Sequence, residues 1–517
     1  MAALLHGEEK EAPPDDSVVV TEAVEMNVVT SAPGTVLDTV NAKYTEDEYR
    51  RVLKKIDRIL LPLMWLCYGT QQADKTAVST QATFGMISDI RLVGQQLSWL
   101  TTAFYIAYLV GEPPGNYLMQ RFSVNKILFI CMFCWGVVVL CIAFVQDFAQ
   151  TVALRSLQGL FECTISPAFL LITASFYISQ EHTMRSIIWT TANSGFDIIA
   201  QLVMYGIGNA AKRHGSAFGS WRWISIFLGS WTILLSFVAL IFVGTPNEVR
   251  WLSKKEKHIV ATRVANNQTG SDGHHSWCWD QVQDAFKDPQ TYFFFFTVIA
   301  AGIPFGGTAA FGNLVFVSFG FTNLETIVKG IIPLDLLTIA WLLLGGFWSL
   351  KKPQTRFYLM IASTIPSFIG LLTLGLLPKE GLLWTRWGLY LMMATGRLPA
   401  TLIWTLLPSN VAGRTKKSVT SAIIFIAVCI GNAIGSQTFR AEWAPRYVPA
   451  LVICGIMYAA QGILFVLWRL HYVSQNRRRA KKVAELGMTP EESEYQGKIN
   501  GESDITDWQN IHFRYNL

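Results

Sequence analysis

Residues 151–172 read TVALRSLQGLFECTISPAFLLI, a run long and apolar enough to cross a bilayer although it contains Arg155 and Glu162. A charge at bilayer depth costs at least about 2.5–3.5 kcal/mol, so it persists where it pairs, lines a water-filled cavity or moves a charged solute. The two residues are seven positions apart, which is two helical turns, so they share one face with Gln158 between them. The stretch therefore predicts a membrane helix with one polar stripe.

A second charged pair lies in an earlier apolar run, where Asp74 and Lys75 are adjacent. They project about a hundred degrees apart, and Gln71 extends the polar face of Lys75 by one turn. Two acids and two bases in the first four predicted spans favour an ion-coupled transport site, in which solute and proton bias each other's affinity. Static ion pairs, or side chains that snorkel to the interface, are the alternative interpretation.

Composition supports a membrane protein, because 51% of the residues are hydrophobic and only 15% are charged, whereas soluble domains carry about 25% charged residues. Apolar runs of about 20 residues, the length that crosses a bilayer, recur along the chain. They predict helices at 58–79, 97–119, 126–146, 150–178, 186–208, 222–244, 289–312, 326–349, 356–378, 384–407, 418–438 and 448–471.

Six spans, a hydrophilic stretch and six more spans predict an all-α integral membrane protein, with twelve transmembrane helices in two six-helix halves. The expected organisation is a disordered N-terminal tail (1–55), a first bundle (56–245), a central loop (246–288), a second bundle (289–472) and a C-terminal tail (473–517). In transporter folds built from such repeats, solute and ion sites lie near the midplane where the repeats meet.

Lysine and arginine distribution predicts the orientation, because cytoplasmic flanks carry an excess of both residues. The flanks of the first and last spans are basic, so both termini and the central loop are expected in the cytoplasm, with the cell membrane as the default location. The net charge of +6 is scattered over segment ends, which argues against nucleic-acid binding. The basic flanking residues are Lys43, Arg50, Arg51, Lys54, Lys55 and Arg58, then Arg477, Arg478, Arg479, Lys481 and Lys482.

No pattern of catalytic or metal-binding residues appears in the sequence. Seven of the eight cysteines fall in apolar spans, which excludes a disulfide framework. Cys131 and Cys134 form a C-x-x-C with no histidine nearby, so they are expected to pack rather than to bind a metal. No nucleophile constellation or glycine-rich phosphate loop is present, so neither an enzyme nor a cofactor is expected.

The second half carries fewer charges. Arg397 lies mid-span and is followed by Pro399, so it is predicted either to bind solute or to donate to carbonyls that the proline frees. Asp335, in the eighth predicted helix, is left without a role. Glycines and a proline at residues 302–307 mark the seventh helix either as a flexing point or as a close-packed surface.

Several motifs resemble a known family. Arg155-Ser-Leu-Gln158-Gly159 resembles the fourth-helix R-x-x-Q-G motif of the major facilitator superfamily, and residues 115–126 (GNYLMQRFSVNK) are similar to its loop 2–3 motif, with Gln120 at the usual aspartate. Within the superfamily the chain resembles the anion:cation symporter family, in particular its fungal allantoate permease-like branch. The stretches that carry this resemblance are 71–76, 92–96, 162–168, 409–417, 444–447, 504–507 and 513–515.

The resemblance implies roles for individual residues. Asp74 and Glu162 map onto the proton-coupling acids of the family, and Lys75 stands where many members carry a substrate-binding arginine. Lysine there implies a weaker bidentate grip on a carboxylate. Phe305 stands where many relatives have asparagine, which implies a bulkier or more apolar solute. The expected substrate-binding residues are Lys75, Arg155, Gln71, Gln158 and Arg397.

These observations favour a monomeric, proton-coupled symporter that imports a small organic anion by alternating access. The resemblance points to a ureide such as allantoate, or to a vitamin or amide carboxylate, with the proton and the lipid bilayer as the other partners. An exporter of a secondary metabolite, encoded in a biosynthetic cluster, keeps the same fold and reverses the direction. A nutrient sensor that binds its ligand without transporting it is a third interpretation.

Overall fold

The computed structural model describes residues 44–265, 277–378, 381–502 and 504–517. Every regular element in these residues is helical, and twelve spans run alternately up and down. The first six are Glu46–Thr83, Gln96–Arg121, Val124–Ile142, Phe148–Glu162 with Ile165–Phe176, Ser179–Thr190 with Ala192–Arg213, and Ser220–Phe242. The last six are Pro289–Ser318, Thr326–Ile331 with Ile332–Lys351, Arg356–Leu376, Leu383–Leu391 with Met392–Gly396 and Arg397–Asn410, Arg414–Thr438, and Val448–Glu485.

In the described part of the chain, eight helical segments are long and apolar enough to cross a membrane by length and composition. The first, second, fifth and tenth spans are not among them. These four carry ionisable residues at mid-length, including Asp74, Glu112, Asp197 and Arg397, and such residues lower mean hydropathy. Charge is not the whole reason, because the fourth span passes with Arg155 and Glu162, whereas the tenth is divided into three short helices.

The two halves repeat one packing scheme. In the first half the first span packs on the fifth, the second on the fourth, and the third on the sixth. In the second half the seventh span packs on the eleventh, the eighth on the tenth, and the ninth on the twelfth. The halves meet where the second span contacts the eleventh, the fifth contacts the eighth, and the first contacts the seventh.

The first helix begins at Glu46, well before the expected start at 58. Thr45 caps it through a capping box with Glu48, which supplies partners for backbone N–H groups that a helix start leaves free. Farther along, Lys55 pairs with Glu256 of the central loop at 2.8 Å. The prediction of a disordered tail over residues 1–55 is therefore wrong for residues 46–55. Residues 1–43 lie outside the described part of the chain.

Glycines in the seventh span serve close packing rather than interruption, because the helix Pro289–Ser318 is continuous. A Cβ at Gly306 would lie 2.3 Å from the carbonyl oxygen of Asn432 in the eleventh span. A Cβ at Gly435, in that same span, would lie 2.1 Å from the carbonyl oxygen of Ile303. The two backbones touch, so larger side chains at these positions would separate the helices.

Two other spans are irregular, the eighth at its beginning and the tenth at mid-length. The eighth contains a π-helical turn at Thr326–Ile331, and the tenth a 3₁₀ turn at Met392–Gly396, directly before Arg397. Such irregular turns are frequent at functional sites, because they change the direction in which the following side chains point. Both lie in the half of the chain that the sequence described as poor in charge.

Hydrogen bonds between the halves lie at one end of the bundle, the end opposite Glu46 and Leu517, here called the distal end. Thr102 bonds Ser436 at 2.9 Å and accepts from Gln437 at 2.8 Å. The backbone N–H of Asn313 donates to Ser79 at 3.1 Å. Among described residues, hydrogen bonds between the six-helix halves are confined to this end, so the distal end is closed in this conformation.

The opposite end of the second half is closed by the C-terminal residues 504–517, here called the tail clasp. Lys416 lies 2.6 Å from Asp288 and 2.9 Å from Asp507, and all three side chains are fully buried. Asp507 also accepts hydrogen bonds from Gln290 at 2.7 Å and from the Tyr515 hydroxyl at 2.9 Å. Burial raises the pKa of the Asp507 carboxyl, and the Lys416 ammonium opposes that rise.

Further contacts bind the clasp to the twelfth helix, which continues to Glu485 instead of ending near 471. Arg479 donates to the backbone carbonyls of Asp507 at 2.6 Å and Phe513 at 3.0 Å. The ring of Tyr515 stacks on Tyr472 with centroids 4.3 Å apart. The chain end thus joins the seventh, eleventh and twelfth spans.

We predict that Lys416→Met destabilises the protein by about 3–5 kcal/mol, because it leaves two buried carboxylates without their cation. The measurement is thermal unfolding of the purified protein in detergent. Lys481→Met is the matched control: its ion pair with Glu485 is 3.9 Å long and largely exposed, so about 0–1 kcal/mol is expected. Equal unfolding midpoints for the two variants would show that the clasp contributes no stability.

Candidate functional site

The structure brings six of the seven predicted site residues together in the first half. The centre of this cluster is an ion pair between Lys75 Nζ and Glu162 Oε1, 3.2 Å apart. The Glu162 side chain is fully buried, whereas Lys75 keeps 17% of its side-chain surface exposed. The cluster, here called the charge cluster, comprises Gln71, Asp74, Lys75, Arg155, Gln158 and Glu162.

The polar stripe predicted for the fourth span is present. Arg155 donates to the side-chain oxygen of Gln158 at 2.8 Å, and the Gln158 amide donates to Glu162 Oε2 at 3.3 Å. Gln71 approaches the backbone carbonyl of Glu162 at 3.4 Å. Gly159 allows this arrangement, because a Cβ there would lie 2.2 Å from the carbonyl oxygen of Phe104 in the second span.

Asp74 is buried but does not pair with its neighbour Lys75. Its backbone carbonyl accepts from Arg155 at 3.5 Å, while its carboxylate forms no ion pair among the described residues and has the Trp135 indole N–H as its neighbouring donor. The carboxylate borders a small cavity of about 10 Å³ that Arg155, Gln158 and Ser225 also line. That volume matches a single water molecule.

Aromatic rings cover the cations of the charge cluster. Lys75 Nζ lies 5.4 Å from the ring centroid of Tyr108, and the Arg155 guanidinium lies 5.2 Å from that of Phe104. Tyr108 in turn stacks on Phe425 of the eleventh span, with centroids 5.5 Å apart. These rings lower the cost of burying the cations, and Tyr108 connects the charge cluster to the second half.

Arg397 lies elsewhere, in a cavity of about 60 Å³ between the two halves, here called the central cavity. Its polar lining from the first half includes Thr76, Asp197 and Gln201, and the second half contributes Asp335 and Arg397. The volume holds a few water molecules, so the cavity leaves little room for a solute in this conformation. The seven predicted residues therefore divide between two places, and Arg397 alone lines the central cavity.

Asp197 is the residue that the sequence interpretation missed. It accepts a hydrogen bond from Thr76 at 2.7 Å, and Gln201 donates to the same threonine at 3.2 Å. A signal was available, since Asn193, Asp197 and Gln201 recur at four-residue spacing within one span. That spacing predicts a polar helix face, and all three residues line the central cavity.

Phe305 covers one face of Arg397, whose guanidinium carbon lies 4.1 Å from the ring centroid. This contact accounts for the aromatic residue that the family resemblance marked as unusual, because the ring stabilises a buried cation. Arg397 has no ion pair within 4 Å among the described residues. The expected alternative, donation to carbonyls that Pro399 frees, has no counterpart among the hydrogen bonds of the described residues.

Comparisons with known proteins agree with this architecture. The family model of the Major Facilitator Superfamily matches residues 64–436. An uncharacterised transporter of Schizosaccharomyces pombe is 33% identical over 90% of this chain and 89% of its own. The allantoate permease of Saccharomyces cerevisiae is 31% identical over 92% of this chain and 87% of its own.

Among solved structures, the xylose transporter XylE from Escherichia coli, in a partially occluded inward-open conformation, superposes with a TM-score of 0.59. The match covers 79% of this chain and 96% of XylE at 15% sequence identity, which shows a shared fold. These matches agree with the predicted fold of twelve helices in two halves. They also agree with a multi-pass membrane protein from a transporter family. The chain belongs to the Major Facilitator Superfamily, in the branch that includes the allantoate permease of Saccharomyces cerevisiae.

Proposed function

We propose that this transporter couples the uptake of a small organic anion to protons by alternating access. The observation that carries the proposal is the ion pair of Lys75 with the fully buried Glu162, at 3.2 Å. A membrane protein keeps such a pair at considerable cost in desolvation. The pair can exchange partners, because Lys75 remains partly exposed.

Coupling follows from competition for Lys75. A carboxylate of the solute that pairs with Lys75 displaces Glu162, which then remains buried without a cation. An unpaired carboxylate in a medium of low dielectric constant is more stable with a proton, so anion binding and protonation favour each other. Solute and proton then cross together.

Asp74 is proposed as the second proton-carrying acid. Its carboxylate has no cation paired with it among the described residues and faces a cavity of single-water size, from which a proton can reach it. Arg155 is proposed to bind the anion together with Gln71 and Gln158. Because Arg155 is only 4% exposed here, its contacts with Gln158 must open before it reaches a solute.

The moving units are proposed to be the two halves, 56–245 and 289–472, rocking about the central cavity. The basic flanks support an orientation with both termini in the cytoplasm of a cell-membrane protein, and a monomer suffices because both clusters lie within one chain. In that orientation, the hydrogen bonds at the distal end close the outer side. Opening to the outside then requires Thr102 to separate from Ser436 and Gln437.

We predict acid-stimulated uptake of a ureide, vitamin or amide carboxylate by a permease-deficient host that expresses the protein. The measurement is uptake across a panel of labelled ureides, vitamins and dipeptides, at several external pH values. An empty-vector strain is the control. Net efflux of a panel member would instead support the exporter interpretation, and binding without flux would support a sensor.

For Glu162→Gln, we expect pH-driven uptake in proteoliposomes to fall at least about tenfold, while counterflow exchange of the same solute persists. Glutamine keeps the shape of the side chain but cannot carry the proton. Glu112→Gln is the matched control, since Glu112 lines neither cavity. Loss of counterflow as complete as the loss of pH-driven uptake would contradict the coupling role.

For Lys75→Gln, we expect the apparent affinity for the solute to fall at least about tenfold, because the anion loses its cation. Lys75→Arg should retain binding within about threefold, since guanidinium also pairs with carboxylates. Lys212→Gln, at an exposed position, controls for loss of a lysine. Saturation curves for uptake provide the measurement, and unchanged affinity in Lys75→Gln would remove Lys75 from the anion site.

A further inference from the structure

The central cavity combines charges from both halves of the protein. The fifth span supplies Asp197 and the eighth supplies Asp335, while the tenth supplies Arg397. All three line the same cavity, and the carboxylates and Arg397 are close enough to interact electrostatically. A group bound here would contact both halves at once, as expected of a solute site in a transporter that rocks.

Each charged group in this cavity retains hydrogen-bonding capacity. No two oppositely charged groups among the three approach within 4 Å, since the described residues show no ion pair here. Asp335 is 8% exposed and has the Ser194 hydroxyl as its neighbouring donor. Phe305 covers one face of Arg397, which leaves the N–H groups at the guanidinium edge for a ligand.

These three groups determine which ligand groups can bind in the central cavity. Carboxylates accept hydrogen bonds and favour N–H donors, neutral or cationic, whereas the Arg397 guanidinium donates and favours a carbonyl or carboxylate oxygen. A ligand group that satisfies all three presents an oxygen acceptor beside N–H donors. Apolar or ether-like groups would offer these carboxylates no donor beyond Thr76 and Ser194, so the remaining buried acceptor positions would stay unfilled, which is costly.

We propose that Asp197, Asp335 and Arg397 form a specificity subsite that selects carboxylate solutes bearing an N–H-donating amide, ureido or ammonium group. The inference rests on the proposed function and deepens it, since Lys75 takes the carboxylate and the subsite takes the other end. The two sites are adjacent along the first span, because Thr76, which bonds Asp197 at 2.7 Å, directly follows Lys75. Asp335 and Asp197 thereby become specificity residues.

The test compares three probes that share a carboxylate and a similar length: ureidoacetate, 4-oxopentanoate and 4-aminobutyrate. Ureidoacetate and 4-oxopentanoate have the same number of non-hydrogen atoms. Ureidoacetate has N–H groups at the two positions where 4-oxopentanoate has C–H groups. Thermal stabilisation of the purified full-length protein in detergent reports binding without requiring proton coupling. We expect ureidoacetate to reach half-maximal stabilisation at a concentration at least about tenfold below that of 4-oxopentanoate.

4-Aminobutyrate distinguishes the two sources of N–H donors. If it binds at least about tenfold more tightly than 4-oxopentanoate, the subsite also accepts an ammonium group. In Asp335→Asn and in Asp197→Asn the preference for ureidoacetate should shrink to about threefold or less, because a charged acceptor is lost. Glu112→Gln should keep the wild-type preference.

Equal binding of all three probes to the wild-type protein would overturn the subsite while leaving a carboxylate site intact. Unchanged preference in both aspartate variants, when each still unfolds cooperatively, would also overturn it. If none of the three probes stabilises the wild-type protein, the proposed anion site fails as well. The wild-type comparison needs no variant, so a variant that does not fold leaves the test decisive.

Discussion

The ion pair between Lys75 and Glu162 is the constraint on which the rest of the structure depends. Glu162 is fully buried and Lys75 keeps only 17% of its side-chain surface exposed, so the Glu162 carboxylate is not stable there without this cation or a substitute. Neighbouring side chains stabilise this ion pair. Gln158 and Gln71 supply hydrogen bonds to Glu162, Tyr108 covers Lys75, and Gly159 lets the second span approach the fourth closely enough for these contacts to form. A solute that replaces one partner of the pair therefore changes the protonation of the other.

The two halves contribute unequally to the interior. The first half supplies the charge cluster, and the second supplies Arg397, Asp335 and Phe305 at the central cavity. Hydrogen bonds across the distal end hold the halves together, whereas close backbone contacts and the tail clasp join helices within the second half. Rocking requires the hydrogen bonds of the distal end to break, together with apolar contacts between the halves such as that of Tyr108 with Phe425. The close contacts within each half can stay in place.

Much of the fold was predictable from the sequence, because lipid-facing helices need long apolar runs that stand out against polar loops. The shared face of Arg155, Gln158 and Glu162 followed from helical spacing alone. Helical spacing did not indicate which side chains of different helices contact each other. Nothing in one helix indicated that Glu162, and not the adjacent Asp74, pairs with Lys75, or that Phe305 covers Arg397. Asp197 was missed because its span is broken and only moderately apolar, and the clasp because its residues are polar and far apart in sequence.

The most direct test of the account is to follow protonation of Glu162 itself. Difference infrared spectroscopy on the reconstituted protein, with and without the solute identified from the uptake panel, detects the carbonyl stretch of a protonated carboxylic acid. We predict that solute binding produces a new protonated-carboxyl band at neutral pH, and that this band is absent in Glu162→Gln. An unchanged carboxyl region on solute binding, or the same band in Glu162→Gln, would contradict the claim that the anion displaces Glu162 from Lys75.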